Sequence, residues 1–512
     1  MKKLTREEVE SKASLVRQFG GIRKAAKATG VSFSQLQRAA SRVSEAKRQE
    51  WPLPAKGKVN RYIFTCAQNN TRLFAPAWAS LNTLAKHYDA MVFVSTFTYD
   101  TSVRIPKRGK DGKTEDGLWY APELVPHLLD DSVLVAPDLV FCGELNILPT
   151  AERPLSGFES YTGAKSGIFP HPRIAMDSIA GIKAAKFNYT TGTVTQRNYI
   201  AKKAGQKADF HHSYGGLLVE VDSDGDWWAR QLNSDSSGKI HDLGVVADGK
   251  RISKTAVEAI NWGDIHWGTV DPVVYKALWG QGGMLDKLRP GWQFMHDALD
   301  FRARSHHDMR DPHKMFQKFC TMSDSVQDEF GDLRLFLQQA DREFCRTVVV
   351  DSNHDSAFGR WLREADYKTD LVNAVFFLRA QAAVYEALSR GERFHLLGWA
   401  LQHPKDVAFL GPNESLIICK KAGGGIECGM HGHLGVNGSR GSLRSFARMG
   451  SKSNTGHTHS AGIIDGAYCA GVTGSFDQGY NKGPSSWSRS HIVTYKNGKR
   501  AIVTMRGNKW RA

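Results

Sequence analysis

From Val59 onward the chain alternates short apolar runs with stretches of helical spacing. RYIFTCAQ is followed by the helical APAWASLNTLAKHYDA, then by MVFVSTFTY and VLVAPDLVFCGEL. Strand, helix and strand in that order predict a βαβ unit and a parallel sheet. Residues 150 to 250 are less patterned, but GGLLVEVDSDGDWWARQL reads as a hairpin turning at Ser-Asp-Gly-Asp. That DSDGD run lacks the full pattern and closing Glu of a calcium loop, so it is an acidic turn. The second half alternates more strongly. Apolar runs end in INWGDIHWG, GWQFMHDALD and CRTVVVDSNHD, with helices at DPVVYKALWG, SVQDEFGDLRLFLQQADREF and LVNAVFFLRAQAAVYEALSRG. Short strands at SLIICK and IECGMHGH, a helix RGSLRSFARM and a strand carrying GHTHSAGIID follow. No solenoid period or long low-complexity tract interrupts this order.

Residues 5 to 48 carry helical spacing with breaks at Phe19-Gly20-Gly21 and Thr29-Gly30-Val31-Ser32. GGIRKAAKATGVSFSQLQRAA has the form of a helix-turn-helix: Ile22, Ala25 and Ala26 face inward, Gly30 permits the turn, and Ser32 or Ser34 caps the second helix. Arg23, Lys24, Lys27, Gln35 and Arg38 are its candidate DNA contacts. A basic helical hairpin that packs on the body is the alternative. The expected organisation is a basic helix-turn-helix segment at 1–50, a linker at 51–58 that breaks the pattern with two prolines, an α/β domain at 59–250, and a second α/β domain at 251–512.

The chain has 512 residues, 41% hydrophobic and 23% charged, enough for more than one core. Its net charge of +16 favours a polyanionic partner, DNA first. Residues 1–50 hold twelve basic against five acidic side chains, a large share of that excess. Seven scattered cysteines without C-x-x-C spacing read as reduced thiols. The basic start is followed by no apolar core, and no run of about 18 apolar residues occurs, so a soluble cytoplasmic protein without membrane contact is expected. Self-association is left open.

Strand ends in the second half finish in metal-binding residue types: Asp264 and His266, Asp297, Asn353-His354-Asp355, His431, and Gly456-His457-Thr458-His459. Side chains at strand-to-loop junctions of one α/β sheet point to the same edge and can meet around one site. Carboxylate and amide oxygen mixed with imidazole suits Mn, Fe, Zn or Co better than Ca or thiolate metals.

This order, D-x-H, Asp, N-H-D, His and G-H-x-H over roughly residues 258 to 475, resembles the calcineurin-like metallophosphoesterase superfamily. The resemblance implies a sandwich of mixed sheets flanked by helices and two divalent cations, Mn foremost with Fe, Zn, Co or Mg as alternatives. It implies that Asp264, His266 and His459 hold one cation, that Asn353, His431 and His457 hold the other, and that Asp297 bridges them. Cations about 4 Å apart activate a shared water and clamp the phosphate. His354 would assist the leaving oxygen, with Asp355 orienting its ring. The chain departs from the family in having His296 and Ser352 where glycines are usual. The first departure leaves Asp300 as a competing bridge, and in the HGH triplet His433 competes with His431.

The superfamily spans protein phosphatases, small phosphodiesterases and nucleases. The basic charge, the helix-turn-helix and the extra α/β segment point to DNA, and Arg302, Arg304, His306, His307 and Arg310 either track a backbone or form a solvated face. The arrangement also resembles phage-encoded metallophosphoesterases, among them DNases that degrade host DNA, in segments such as FTCAQNNT, FVSTFTY and YNKGPSSWSRSHIVTYKNGKRAIV. A metal-dependent DNA nuclease acting in the host cytoplasm is the expectation. The alternative is a DNA-binding regulator whose core is a protein or small-molecule phosphatase.

Overall fold

A computed structural model describes residues 8, 11–12, 14–15, 22–32, 34–36, 48–99, 117–421, 424–479 and 481–512. It is an α/β protein with two compact units. The first comprises residues 1–74, 90–175 and 186–227; the second comprises 75–89, 176–185 and 228–512. The main division thus falls at Trp227, earlier than residue 250, because the segment after it contributes its contacts to the second unit.

Near the N-terminus, α1 (Ile22–Thr29) ends at Gly30, whose φ of 71° requires a residue without Cβ strain. Ser32 Oγ then accepts from Gln35 N, capping the helical turn at 34–36. Of the candidate DNA contacts, Lys27 and Gln35 are exposed; Arg38 and the side chains of Arg23 and Lys24 lie outside the described residues.

In the first unit β1 (Val59–Gln68) runs parallel to β2 (Ala90–Phe97) and antiparallel to β7 (Gly215–Asp222), with Arg61 paired to Glu220 across the latter register. The helix joining β1 and β2, α2 (Ala75–Tyr88), groups with the second unit. A second set of strands, β3 (Ser132–Ala136), β4 (Leu139–Cys142), β5 (Ser166–Phe169) and β6 (Lys186–Thr190), pairs in sequence order, antiparallel only at β3 and β4. The acidic turn is an Asx structure: Asp222 Oδ1 accepts from the backbone of Asp224 and Asp226. Asn70, in the polar cluster after β1, takes a left-handed turn and accepts from Trp119 N.

The second unit carries the strand ends that matter. β8 (Ala259–Asn261), β9 (Trp292–Met295), β10 (Arg346–Val350) and β11 (Val407–Leu410) are parallel neighbours, so their carboxyl ends share one edge. The hairpin β17 (Ser490–Thr494) and β18 (Arg500–Thr504) extends the sheet beyond β8. A second sheet contains β12 (Ile417–Ile418), β13 (Ile426–Glu427), β14 (Lys452–Thr455), β16 (Ala467–Cys469) and β15 (Gly462–Ile464), in that spatial order. Ala259, Phe294, Val348 and Val350 of the first sheet meet Ile418, Ile426 and Cys428 of the second, closing a sandwich. Helices α3 (Val326–Ala340), α4 (Asn353–Glu364) and α5 (Ala374–Arg390) cover the other face, where Phe336, Phe358 and Trp361 join the larger core.

α4 was not expected from the sequence. Asn353, His354 and Asp355 form its first turn, with only Asp351 and Ser352 between strand end and helix. Ser352, extended at φ −137°, caps it by accepting from Asp355 N. The glycine usual before Asn-His is therefore not needed here: the serine tolerates this backbone and adds a capping bond. Ser352→Ala is expected to cost about 1 kcal/mol of stability, read as a lowered thermal midpoint; an unchanged midpoint would show that the cap does not hold this turn.

Candidate metal centre

The seven residues singled out in the sequence converge where the two sheets meet. Asp264 and His266 follow β8, Asp297 follows β9, Asn353 follows β10, and His431, His457 and His459 come from the loops after β13 and β14. Ligand atoms of Asp264, His266, Asp297 and His459 all lie within 4.8 Å of one another. Asp297 Oδ2 is also 3.3 Å from His431 Nε2, while Asn353 Oδ1 lies 3.1 Å from both His431 Nε2 and His457 Nδ1. Asp297 therefore touches both groups. His433 sits beside these rings, its centroid 5.4 Å from His431, but it is His431 that reaches Asp297 and Asn353.

The backbone is bent to achieve this. His266, Asp297, His457 and His459 all have positive φ, between 43° and 75°, a region that costs a non-glycine residue roughly 1–3 kcal/mol. Four such residues in one site show a geometry imposed by the surroundings. Gly456 completes it: a Cβ there would lie 2.1 Å from Asp264 Oδ1, so only glycine lets the G-H-x-H loop close on that carboxylate.

The donor set fits a cation. Asp264 Oδ1 and Asp297 Oδ1 are buried without hydrogen-bond partners. His266 Nε2 and His459 Nε2 face each other at 3.0 Å, two ring nitrogens directed at common space. Such an array of buried oxygen and imidazole is costly unless a positive charge joins it. Within the protein, the carboxylates and imidazoles shift one another's titration. Burial would raise the Asp297 carboxyl, yet His431 and His354 hold it well below its ordinary value. Conversely, burial opposes charge on His431, but Asp297 and Asp264 raise its pKa to about 9. His457, half-buried and repelled by His431, is pushed down to about 4.

His354 is paired differently from the sequence expectation. Its Nδ1 lies 3.2 Å from Asp300 Oδ1 and 3.2 Å from the Asp300 carbonyl, and Asp300 Oδ1 also lies 3.0 Å from His266 Nδ1. Asp300 thus meets two imidazoles, and His266, Asp300 and His354 themselves form a second group close enough to hold a cation. Asp355 points elsewhere, because each step along a helix turns the side chain by about 100°. Both its oxygens are buried without a hydrogen-bond partner, and burial, together with Asp351 and Asp297, raises its carboxyl well above the usual range. Against burial, Asp297 and Asp300 raise His354 to about 10.

Sequence reasoning missed Glu329. Half-buried in the first turn of α3, it accepts from Arg302 N and Ala303 N and so fixes the loop that carries Asp300; loss of solvent raises its carboxyl to about 7. A helical carboxylate far along the chain gives no sequence signal of that contact. Arg304 does not track a backbone: it is 6% exposed and forms a two-pronged ion pair with Asp370. Arg302, His306, His307 and Arg310 are exposed.

Metal ligands bind deprotonated. The carboxylates raise His431 to about 9, so a cation that took this ring as a ligand would expel a proton at pH 7, and its affinity would climb as pH rises toward about 9. Titration calorimetry of Mn uptake at pH 7, in buffers of different ionisation enthalpy, is expected to show net proton release. Heats independent of the buffer would contradict this.

No established family profile matches the chain. It is 38% identical over 508 residues to Protein A1 of Escherichia phage T5, a match covering 95% of this chain and 88% of that protein. By this extent and identity, the chain belongs to the family of Protein A1 of Escherichia phage T5.

Proposed function

We propose that this protein is a calcineurin-like, two-metal phosphodiesterase that cleaves DNA. The observation that carries the reading is Asp297, whose carboxylate contacts His266 of one donor group and His431 of the other. Asp264, His266 and His459 would hold one divalent cation and Asn353, His431 and His457 the second, with Asp297 shared. Such a pair supplies a nucleophile at neutral pH and neutralises phosphate charge. Mn suits the mixed oxygen and nitrogen donors, with Fe, Zn, Co or Mg as alternatives. The chain's own work is positioning. Asp300 holds His354 by Nδ1, leaving Nε2 of this partly exposed ring to meet the leaving oxygen. Net charge of +16 supports a polyanionic substrate, and kinship with a phage protein fits host DNA during infection.

Purified protein should nick or degrade plasmid DNA when Mn is added and stop when a chelator is present. Asp297→Ala and His457→Ala should each remove this activity while the circular dichroism spectrum stays intact. Hydrolysis of phosphomonoesters with DNA left untouched would favour a phosphatase core instead.

His354 and Asp300 are separable from the ligands. His354→Asn is expected to keep bound cations and substrate affinity while slowing the chemical step roughly 10²- to 10⁴-fold. The loss should be smallest on an ester with an acidic phenol and largest on DNA. Asp300→Asn, which touches both His354 and His266, should cost roughly 10- to 100-fold and also weaken metal binding. Loss of a cation in His354→Asn would make His354 a ligand and overturn this assignment.

A further inference from the structure

Helix α5 has two faces of opposite character. Phe377, Ala380 and Ala387 are buried, and Phe377 packs edge-on against Trp361 of α4 with ring centroids 4.8 Å apart, so the helix is fixed to the body of the second unit. On the opposite side Val375, Leu378, Ala382, Tyr385 and Ser389 are all exposed. Their spacing alternates three and four residues, the seam of a helix that packs on another helix. Val375, Leu378, Tyr385 and the flanking Leu388 are 47% to 68% exposed. One such side chain is ordinary on a surface, but four along a single stripe mark a contact face. Arg379 and Glu386 run along one flank of the stripe, both exposed and, among the described residues, without an ion-pair partner. The other flank carries Leu388 and Gln381, the latter donating to Leu362 O.

We propose that this face binds the same face of a second copy of the chain, as an antiparallel helix pair about a two-fold axis. With the axis between Ala383 and Val384, Tyr385 of each copy lies over the small Ala382 of the other, and Leu378 meets Ser389. Arg379 of each copy then stands against Glu386 of the other, so the pairing occurs twice, as a self-complementary contact requires. A slide of one heptad either way sets Arg379 against Arg379 or Glu386 against Glu386. In a parallel pair the flank with both charges faces the flank with neither. The charges therefore select one orientation and one register. Exposed ion pairs add little affinity, which comes instead from the apolar stripe. This contact uses none of the metal ligands and does not depend on the phosphodiesterase reading.

The test is light scattering and sedimentation of the full chain without DNA, over a series of micromolar concentrations. The mass is expected to rise from one chain to two. Arg379→Glu and Glu386→Arg each make both cross-pairs repulsive and should weaken association at least about tenfold. Mixed in equal amounts, the two variants should associate with each other, because every cross-pair again sets an acid against a base. The double variant should self-associate as the unaltered chain does. Leu378→Asp should abolish association while the circular dichroism spectrum stays unchanged. A single-chain mass at all concentrations would mean that another molecule covers this face, and would overturn the proposal. So would association that the charge reversals leave unaltered, or single variants that stay apart when mixed.

Discussion

Two carboxylates, Asp264 and Asp297, are buried side by side among imidazoles, and the rest of the second unit is arranged around that arrangement. Removing such charges from water is expensive unless opposite charge is held close. Here the carboxylates and imidazoles come from three parallel strand ends and two loops of the facing sheet, which is why the site cannot be assembled from any one segment. The cost extends to the backbone, where four candidate ligands occupy left-handed φ. Strain of that kind persists only where packing over-determines it. The apolar contact between the sheets, through Phe294, Val348, Val350, Ile418 and Ile426, supplies that packing directly beneath the site.

Around the carboxylates stands a layer of groups that orient others. Asp300 holds His266 and His354, Glu329 holds the loop of Asp300, and Ser352 holds the turn of Asn353. On the second sheet, buried Arg500 donates to Ser453 O and Asn454 Oδ1 and lies over the ring of Tyr468, steadying β14 just ahead of the G-H-x-H loop. Each contact removes a rotational freedom that would otherwise blur ligand positions, and second-layer groups of this kind set ring orientation and basicity.

Helix α4 faces two environments at once. Its first residue, Asn353, turns toward the imidazoles of His431 and His457, while Asp355 and Gly359 are among the residues lining a cavity of about 370 Å³ beside Asp351 and Gly411. The separation follows from helical geometry, since each step along a helix turns the side chain by about 100°. One element thus contributes to the cluster of carboxylates and imidazoles and walls a separate cavity.

Much was legible in the sequence because strand-end residues carry local signals. The βαβ alternation, the parallel strands that precede Asp264, Asp297 and Asn353, and the G-H-x-H loop follow from periodicity and residue type, which act over a few residues. What stayed hidden depends on contacts between distant segments. Asp355 adjoins His354 in sequence, yet the helix that starts at Asn353 turns it away, and Asp300, more than fifty positions earlier, takes its place. Arg304 looked like a free cation until Asp370 enclosed it, and α2, read as the crossover of one sheet, groups by its contacts with the other unit. The sequence by itself determined which side chains could bind a cation and which strands would present them. Only the tertiary structure decided which oxygen meets which nitrogen, because that depends on register and helix phase, which a linear pattern does not carry.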